Sequence, residues 1–181
     1  GDTLNTAIHL ARTGHDVAYL TALGIDPFSQ DLKRRWQAEG LDTSLVLTHP
    51  ERQSGLYAID TDAAGERSFT YWRETSAARA MFALDSVDAA MKETEWADLV
   101  YFSLISLAIL PPGDRGHLLE LTSLVRAHGG KVAFDGNYRP RLWASDAEAR
   151  TARDAAIAVA DIGLPTLDDE MLLQSSPERG G

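Results

Sequence analysis

Three short stretches concentrate the side chains that could do chemistry. The first, over 132–143, reads VAFDGNYRPRLW. An apolar run ends at Phe134, and Asp135, Asn137, Tyr138 and Arg139 follow at once. A carboxylate, an amide, a phenol and a guanidinium can orient a polar ligand, and the guanidinium can neutralise a carboxylate or phosphate. Read this way, Asp135 closes a strand and Gly136 permits a tight turn. Residues 137–139 then face the crevice at the strand's carboxyl end, where open α/β sheets bind ligands. The same residues equally suit a plain strand-to-helix loop whose Arg pairs with Asp146 or Glu148.

The second stretch is Tyr71-Trp72-Arg73, with Tyr57 opposite it on an expected hairpin. An Arg beside aromatic rings suits a planar anion such as a carboxylate. The competing reading is an aromatic sheet face used for packing or dimerisation. The third is Gly1-Asp2-Thr3-Leu4-Asn5 at a helix start. Backbone N–H groups are open there, and Asp2 and Asn5 can bond hydroxyls, although simple capping accounts for the same residues.

The elements that must position these groups follow from periodicity. Leu4, Ala7, Ile8 and Ala11 predict an amphipathic helix that Gly14 ends. A short strand is expected over 17–20. Asp26 as N-cap and Pro27 at the first turn open a second helix, with Phe28, Leu32 and Trp36 on one face and Gly40 as its stop. A strand is expected over 45–47. Residues 55–61 and 66–72 alternate as a hairpin with one covered face, joined by Asp62-Ala63-Ala64-Gly65. Beyond it come a helix over 87–94, a buried strand over 99–103, a helix through Leu118, Leu121 and Val125, and a strand over 131–135. Ser145-x-x-Glu148 reads as a capping box opening a helix to about residue 160. A strand over 162–164 and a helix over 168–174 follow, then a loop-like tail from 175. Strands alternating with helices predict an α/β chain with a mostly parallel sheet.

Composition narrows the function classes. The 181 residues carry a formal net charge of −10, which opposes nucleic acid and anionic membranes. There is no cysteine, so thiolate metal sites and disulfides are excluded. The five His lack zinc-protease spacing, and G-x-G-x-x-G, the P-loop and G-x-S-x-G are all absent. No apolar run has the length of a membrane span or a signal peptide, so a cytoplasmic location is expected. The first residue is Gly and already reads as helical, so the chain is expected to be a piece of a longer protein.

The chain resembles the ribokinase-like (PfkB-type) carbohydrate kinases. The resemblance is carried by GDTLNTAIHLARTGHDVAYLTALGIDPF (1–28), GLYAIDTDAAGERSFTYWR (55–73), SAARAM (76–81), YFSLISLAIL (101–110) and FDGNYRPRLW (134–143). Within the family it looks like the branch acting on 2-keto-3-deoxygluconate. The resemblance implies a three-layer α/β/α fold with a mostly parallel central sheet and a small β-sheet lid. It divides the chain into an α/β core, 1–44 and 74–181, and a lid segment, 45–73. It implies ATP and Mg²⁺ as cofactors, phosphorylation of the sugar acid at its 6-hydroxyl, and a homo-oligomer formed through the lid. Fructokinase- or ribokinase-type activity on a neutral sugar, and a non-catalytic sugar-binding relative, are the alternatives.

Carried over residue by residue, the resemblance gives the sugar acid to Gly1, Asn5, Tyr57, Tyr71, Arg73 and Arg139. It places Asn137, Tyr138 and Arg139 near the ATP phosphates and Thr166 near the nucleotide. Asp169 falls at the acidic position associated with Mg²⁺ and phosphate. The family's catalytic Asp sits in a G-A-G-D motif that does not occur in these residues. The resemblance puts that Asp beyond Gly181, so no catalytic base and no metal ligand is assigned, and residues 1–181 alone are expected to lack kinase activity. Leu104 stands where the family has glycine and is expected to crowd the sugar pocket. A carboxylate on the substrate explains guanidinium groups that a neutral sugar would not require.

Overall fold

A computed structural model describes residues 1–62 and 65–175. Ala63 and Ala64 of the expected hairpin connection lie outside the described residues, as does the tail from 176 through Gly181. Residue 175, expected in that tail, instead ends a helix. The chain divides into two compact units, residues 4–87 and residues 1–3 with 88 onward.

In the unit of residues 4–87, α1 (Asp2–Arg12), β1 (Thr21–Gly24), α2 (Pro27–Ala38) and β2 (Val46–His49) form a helix and a parallel βαβ turn. Ala7, Leu23, Trp36, Leu41 and Val46 make its core. Asp26 caps α2 by accepting from the Ser29 amide at 2.9 Å, as expected. The Ser29 hydroxyl and then its amide hold the Asp26 carboxyl below the usual carboxylate range. Gly14 and Gly40 end their helices at φ +91° and +88°, a region open to glycine.

Two expectations fail here. The strand expected over 17–20 makes only an isolated bridge, Ala18 to Asp42; the ladder begins at Thr21. Phe28 is 53% exposed and does not share the buried face of Trp36. At about 100° per residue, eight positions leave the two some 80° apart on the helix.

The hairpin β3 (Leu56–Thr61) and β4 (Arg67–Trp72) pairs antiparallel, with Tyr57 opposite Tyr71 and Ile59 opposite Phe69. Its faces were expected to differ in cover, yet every residue of both strands is exposed. Alternation requires only that one face suit apolar contact, and none of the described residues of this unit buries it.

In the other unit, β5 (Leu99–Ser103), β6 (Lys131–Asp135) and β7 (Ile162–Leu164) form a parallel sheet in the order β5-β6-β7. Connecting helices are α3 (Val87–Thr94) before β5, then α4 (Leu104–Ile109), α5 (Arg115–Ala127) and α6 (Asp146–Val159), with α7 (Leu167–Ser175) last. Phe102 and Phe134 are paired in register, with rings 5.3 Å apart. Ala149, Ala152 and Ala156 bury one stripe of α6, and their small side chains let it approach the core closely. Trp143 packs into this core and Leu142 against it.

Leu104, expected to crowd a pocket, is fully buried in the core among Phe102 and Leu107. It begins α4, a helix not foreseen from periodicity because six residues give too little pattern. Ser103 and Ser106 cap it reciprocally. The Ser145 box is half formed: Ser145 Oγ accepts from the Glu148 amide, but Glu148 Oε2 accepts from Ala144 N, not Ser145 N.

Candidate functional site

The carboxyl end of β6 is built by Asp135. Its Oδ1 accepts from the Asn137 amide at 3.2 Å, and its Oδ2 accepts from the Tyr101 hydroxyl at 2.9 Å. Both carboxylate oxygens therefore turn the chain and anchor it to β5. Gly136, expected to permit a tight turn, has no positive φ. A Cβ there would lie 3.5 Å from Pro165 Cα, an ordinary contact. The side chain of Asp135 makes the bend.

Asn137 donates from Nδ2 to Asp2 Oδ2 at 3.1 Å, a contact within the unit of residues 1–3 and 88 onward. Arg139 is half-exposed at 53%; its Nη1 donates to the Tyr138 carbonyl and lies 3.2 Å from Asp169 Oδ1. The alternative pairing with Asp146 or Glu148 is not made: Glu148 pairs with Arg115 at 2.7 Å, and Asp146 accepts from Tyr138. The guanidinium keeps 53% of its exposure while the Asp169 carboxylate is largely covered at 18%. Thr166 is exposed at the start of α7, where its Oγ1 accepts from the Asp169 amide at 3.4 Å.

Tyr138 corrects the expectation. Its side chain does not face a crevice: it is 1% exposed, within the hydrophobic core, and its hydroxyl donates to Asp146 Oδ1 at 2.6 Å. The ring belongs to the buried cluster with Phe102, Phe134 and Leu173, whereas Arg139 is exposed and Asn137 is partly buried, its Oδ1 covered and without a hydrogen-bond partner among the described residues.

In the other unit, Arg73 Cζ lies 4.2 Å from the Tyr71 ring centroid. Tyr57, Phe69 and Tyr71 form one aromatic cluster, with Phe69 and Tyr71 stacked at 6.2 Å. The ring face holds the guanidinium by its quadrupole, worth about 0.5–1 kcal/mol at an exposed site, and a guanidinium's planar fork matches the two oxygens of a carboxylate. Asn5 is exposed on α1. Gly1 is exposed, and a Cβ there would meet no atom within 4 Å. A cavity of about 380 Å³ opens at the hairpin base, lined by Arg52, Ser54, Leu56, Trp72, Thr75 and Ser76 among others. Leu56 and Trp72 point to the face opposite Tyr57 and Tyr71, so this cavity is separate from the Arg73 cluster.

Sequence reading missed Tyr101, Asp2 as the partner of Asn137, and Asp146 as the acceptor for Tyr138. Tyr101 is legible once register is known, because it pairs with Ala133 and Asp135 lies two residues on along the same face. Asp2 lies 135 positions from Asn137, and no sequence pattern links them.

Arg139 and the Thr166 hydroxyl, both accessible, fit an anionic phosphate. Mg²⁺ finds less. Among the described residues no group of three acidic or His side chains converges, and the Asp169 carboxylate is engaged by Arg139. Among the described residues no helix is long and apolar enough to cross a membrane.

Comparison with known proteins agrees with this architecture. A 2-dehydro-3-deoxygluconokinase from Dickeya dadantii is 46% identical over 177 residues, covering 96% of this chain and 57% of the relative. The chain thus spans little more than half the length of such relatives. The PfkB protein of Polaromonas sp. JS666 superposes with a TM-score of 0.82 at 28% identity, over 96% of this chain and 57% of its own. A sugar kinase from Pyrococcus horikoshii, solved in complex with ATP, gives a TM-score of 0.81 at 22% identity, over 96% and 55%. The fold is the three-layer α/β/α arrangement of ribokinase-like proteins. The pattern of pfkB family carbohydrate kinases matches residues 1–178. With its parallel strands, polar loop after β6 and aromatic hairpin, the chain belongs to the pfkB family of carbohydrate kinases.

Proposed function

We propose that this chain is part of an ATP-dependent kinase that phosphorylates 2-keto-3-deoxygluconate at its 6-hydroxyl. The observation that carries the reading is Arg73 held over Tyr71, with Tyr57 beside it: a guanidinium on an aromatic face is built for a carboxylate. The name of the Dickeya relative points to the same sugar acid.

In this reading Tyr57, Tyr71 and Arg73 bind the sugar acid, with Gly1 and Asn5 toward its hydroxyls and Arg139 toward its carboxylate or the transferred phosphate. Asn137, Arg139 and Thr166 serve the ATP phosphates, and Tyr138 serves only through its buried anchor. Residues 45–73 act as the lid of a core formed by 1–44 and 74–181. ATP would supply the phosphoryl group and Mg²⁺ would neutralise its charge, Asp169 being the acidic residue that would stand beside them. The acceptor hydroxyl attacks the γ-phosphorus, the bond to the β-phosphate oxygen breaks, and the hydroxyl proton passes to a base outside these residues. Such transfer depends on positioning and charge neutralisation more than on covalent chemistry. The setting is cytoplasmic, with no nucleic-acid or membrane partner.

The deciding experiment is turnover by the complete protein with ATP and a panel of sugars and sugar acids. The keto acid is expected as the preferred substrate. Turnover of fructose or ribose with none of the keto acid would overturn the assignment.

The aromatic hairpin face is proposed to pair with a second copy, since Ile59 at 50% and Phe69 at 40% exposure lie together at its outer end. Sedimentation of the complete protein should give a dimer that Phe69→Glu dissociates. A monomeric wild type removes this proposal.

A further inference from the structure

We infer that the buried Tyr138–Asp146 hydrogen bond is the positioning element of the phosphate-binding loop; the inference rests on the kinase reading above.

The loop between β6 and α6 alternates in environment. Asn137 is partly buried, Tyr138 is 1% exposed and Arg139 is exposed. The middle residue is the loop's anchor in the core; Arg139 is exposed, and Asn137 is held by Asp2 with its Oδ1 buried. Asp146 is itself buried at 8% and opens α6, where the helix N-terminus favours a carboxylate. Its Oδ1 accepts the 2.6 Å bond from the Tyr138 hydroxyl. Its Oδ2 is buried and has no hydrogen-bond partner among the described residues. Tyr138 is therefore the hydrogen-bond donor on which this carboxylate depends, and losing the hydroxyl leaves a buried charge unsatisfied.

The consequence reaches Arg139 by a second bond. Arg139 Nη1 donates to the Tyr138 carbonyl, so the guanidinium rests on the backbone that the phenol pins. Asn137, on the other side, is tied to Asp2. Trp143 and Arg115 close the same corner, the guanidinium lying 4.7 Å from the indole centroid. Tyr138 and Asp146 touch no ligand in this scheme; they act through Arg139 and Asn137.

The test uses the complete protein. Tyr138→Phe keeps the ring in the core and removes only the hydroxyl. Its KM for the ligand gripped by Arg139, ATP or the sugar acid, is expected to rise about tenfold, with kcat within about twofold of wild type. In an Arg139→Ala background the same change should add nothing further, because the two act through one group. Asp146→Ala, which removes the acceptor, is expected to raise the same KM to a similar extent, and the two changes together should add little. A lower melting temperature with unchanged KM would overturn the inference, as would an equal KM effect with and without Arg139. A readout independent of turnover separates this result from failure of the kinase reading. The amide signals of Asn137 and Arg139 in a ¹H–¹⁵N spectrum should move in Asp146→Ala, eight residues from Tyr138 along the chain, as they do in Tyr138→Phe. Unmoved signals in Tyr138→Phe would sink it even if the sugar acid proved not to be the substrate.

Discussion

Arg73→Ala in the complete protein is expected to raise the KM for 2-keto-3-deoxygluconate about 10- to 100-fold, since a charge-assisted bond to a carboxylate contributes roughly 1.5–3 kcal/mol. The guanidinium is held in place before the ligand arrives, over the Tyr71 ring at 4.2 Å. Less side-chain freedom is then lost on binding, which favours the upper part of that range. The effect should fall on KM more than on kcat, because the carboxylate is remote from the 6-hydroxyl and keeps its charge throughout the reaction. Arg73→Lys should recover only part, since an ammonium cannot grip two oxygens in parallel or stack as a plane. Steady-state kinetics with the keto acid and with a neutral sugar would check this. An unchanged KM for the acid removes Arg73 from the site and leaves the hairpin as a packing surface.

Gly130→Ala is expected to be the most damaging conservative change to stability, by about 3 kcal/mol or more. A Cβ at this position would lie 2.2 Å from the Ala97 carbonyl oxygen and 2.6 Å from Val125 Cγ1. The first obstacle is backbone leading into β5, and the second is a fully buried residue of α5. The Gly130 amide also bonds the Val125 carbonyl at 3.0 Å, so the segment cannot simply swing away. Gly129 is the internal control. It has φ +92° and open space where a Cβ would point. Gly129→Ala therefore strains only the backbone, costing about 1 kcal/mol. Thermal melts of the two variants should differ by several degrees for a chain of this size. A Gly129 variant melting as low as or lower than the Gly130 variant would contradict the steric account.

Both sites were written in the chain to different depths. The chemistry-bearing stretches at 57–73 and 135–139 could be picked out because they set charged and aromatic residues directly after strand patterns. The helices and strands of 87–164 followed from period and length, α4 excepted. Tyr138 was misread because a tyrosine between two polar residues carries no label for which way it points. Its direction follows from the position of α6, which presents Asp146, and from the buried cluster that takes the ring. Phe28 and the strand expected over 17–20 failed for a related reason: local pattern cannot say which turn of a helix, or which residues of an extended run, meet a partner.

The sequence by itself determined the family, the α/β alternation and the residue types that could bind an acidic sugar and phosphate. These depend on local periodicity and on neighbours within a few positions. Only the tertiary structure decided that Asn137 meets Asp2, that Arg139 rests on Asp169, and that Tyr138 is an anchor. Those pairings join residues far apart in the chain, or choose between two faces of one loop. They are settled by burial, because a phenol with a buried acceptor gains from leaving water, whereas a guanidinium without a buried partner does not.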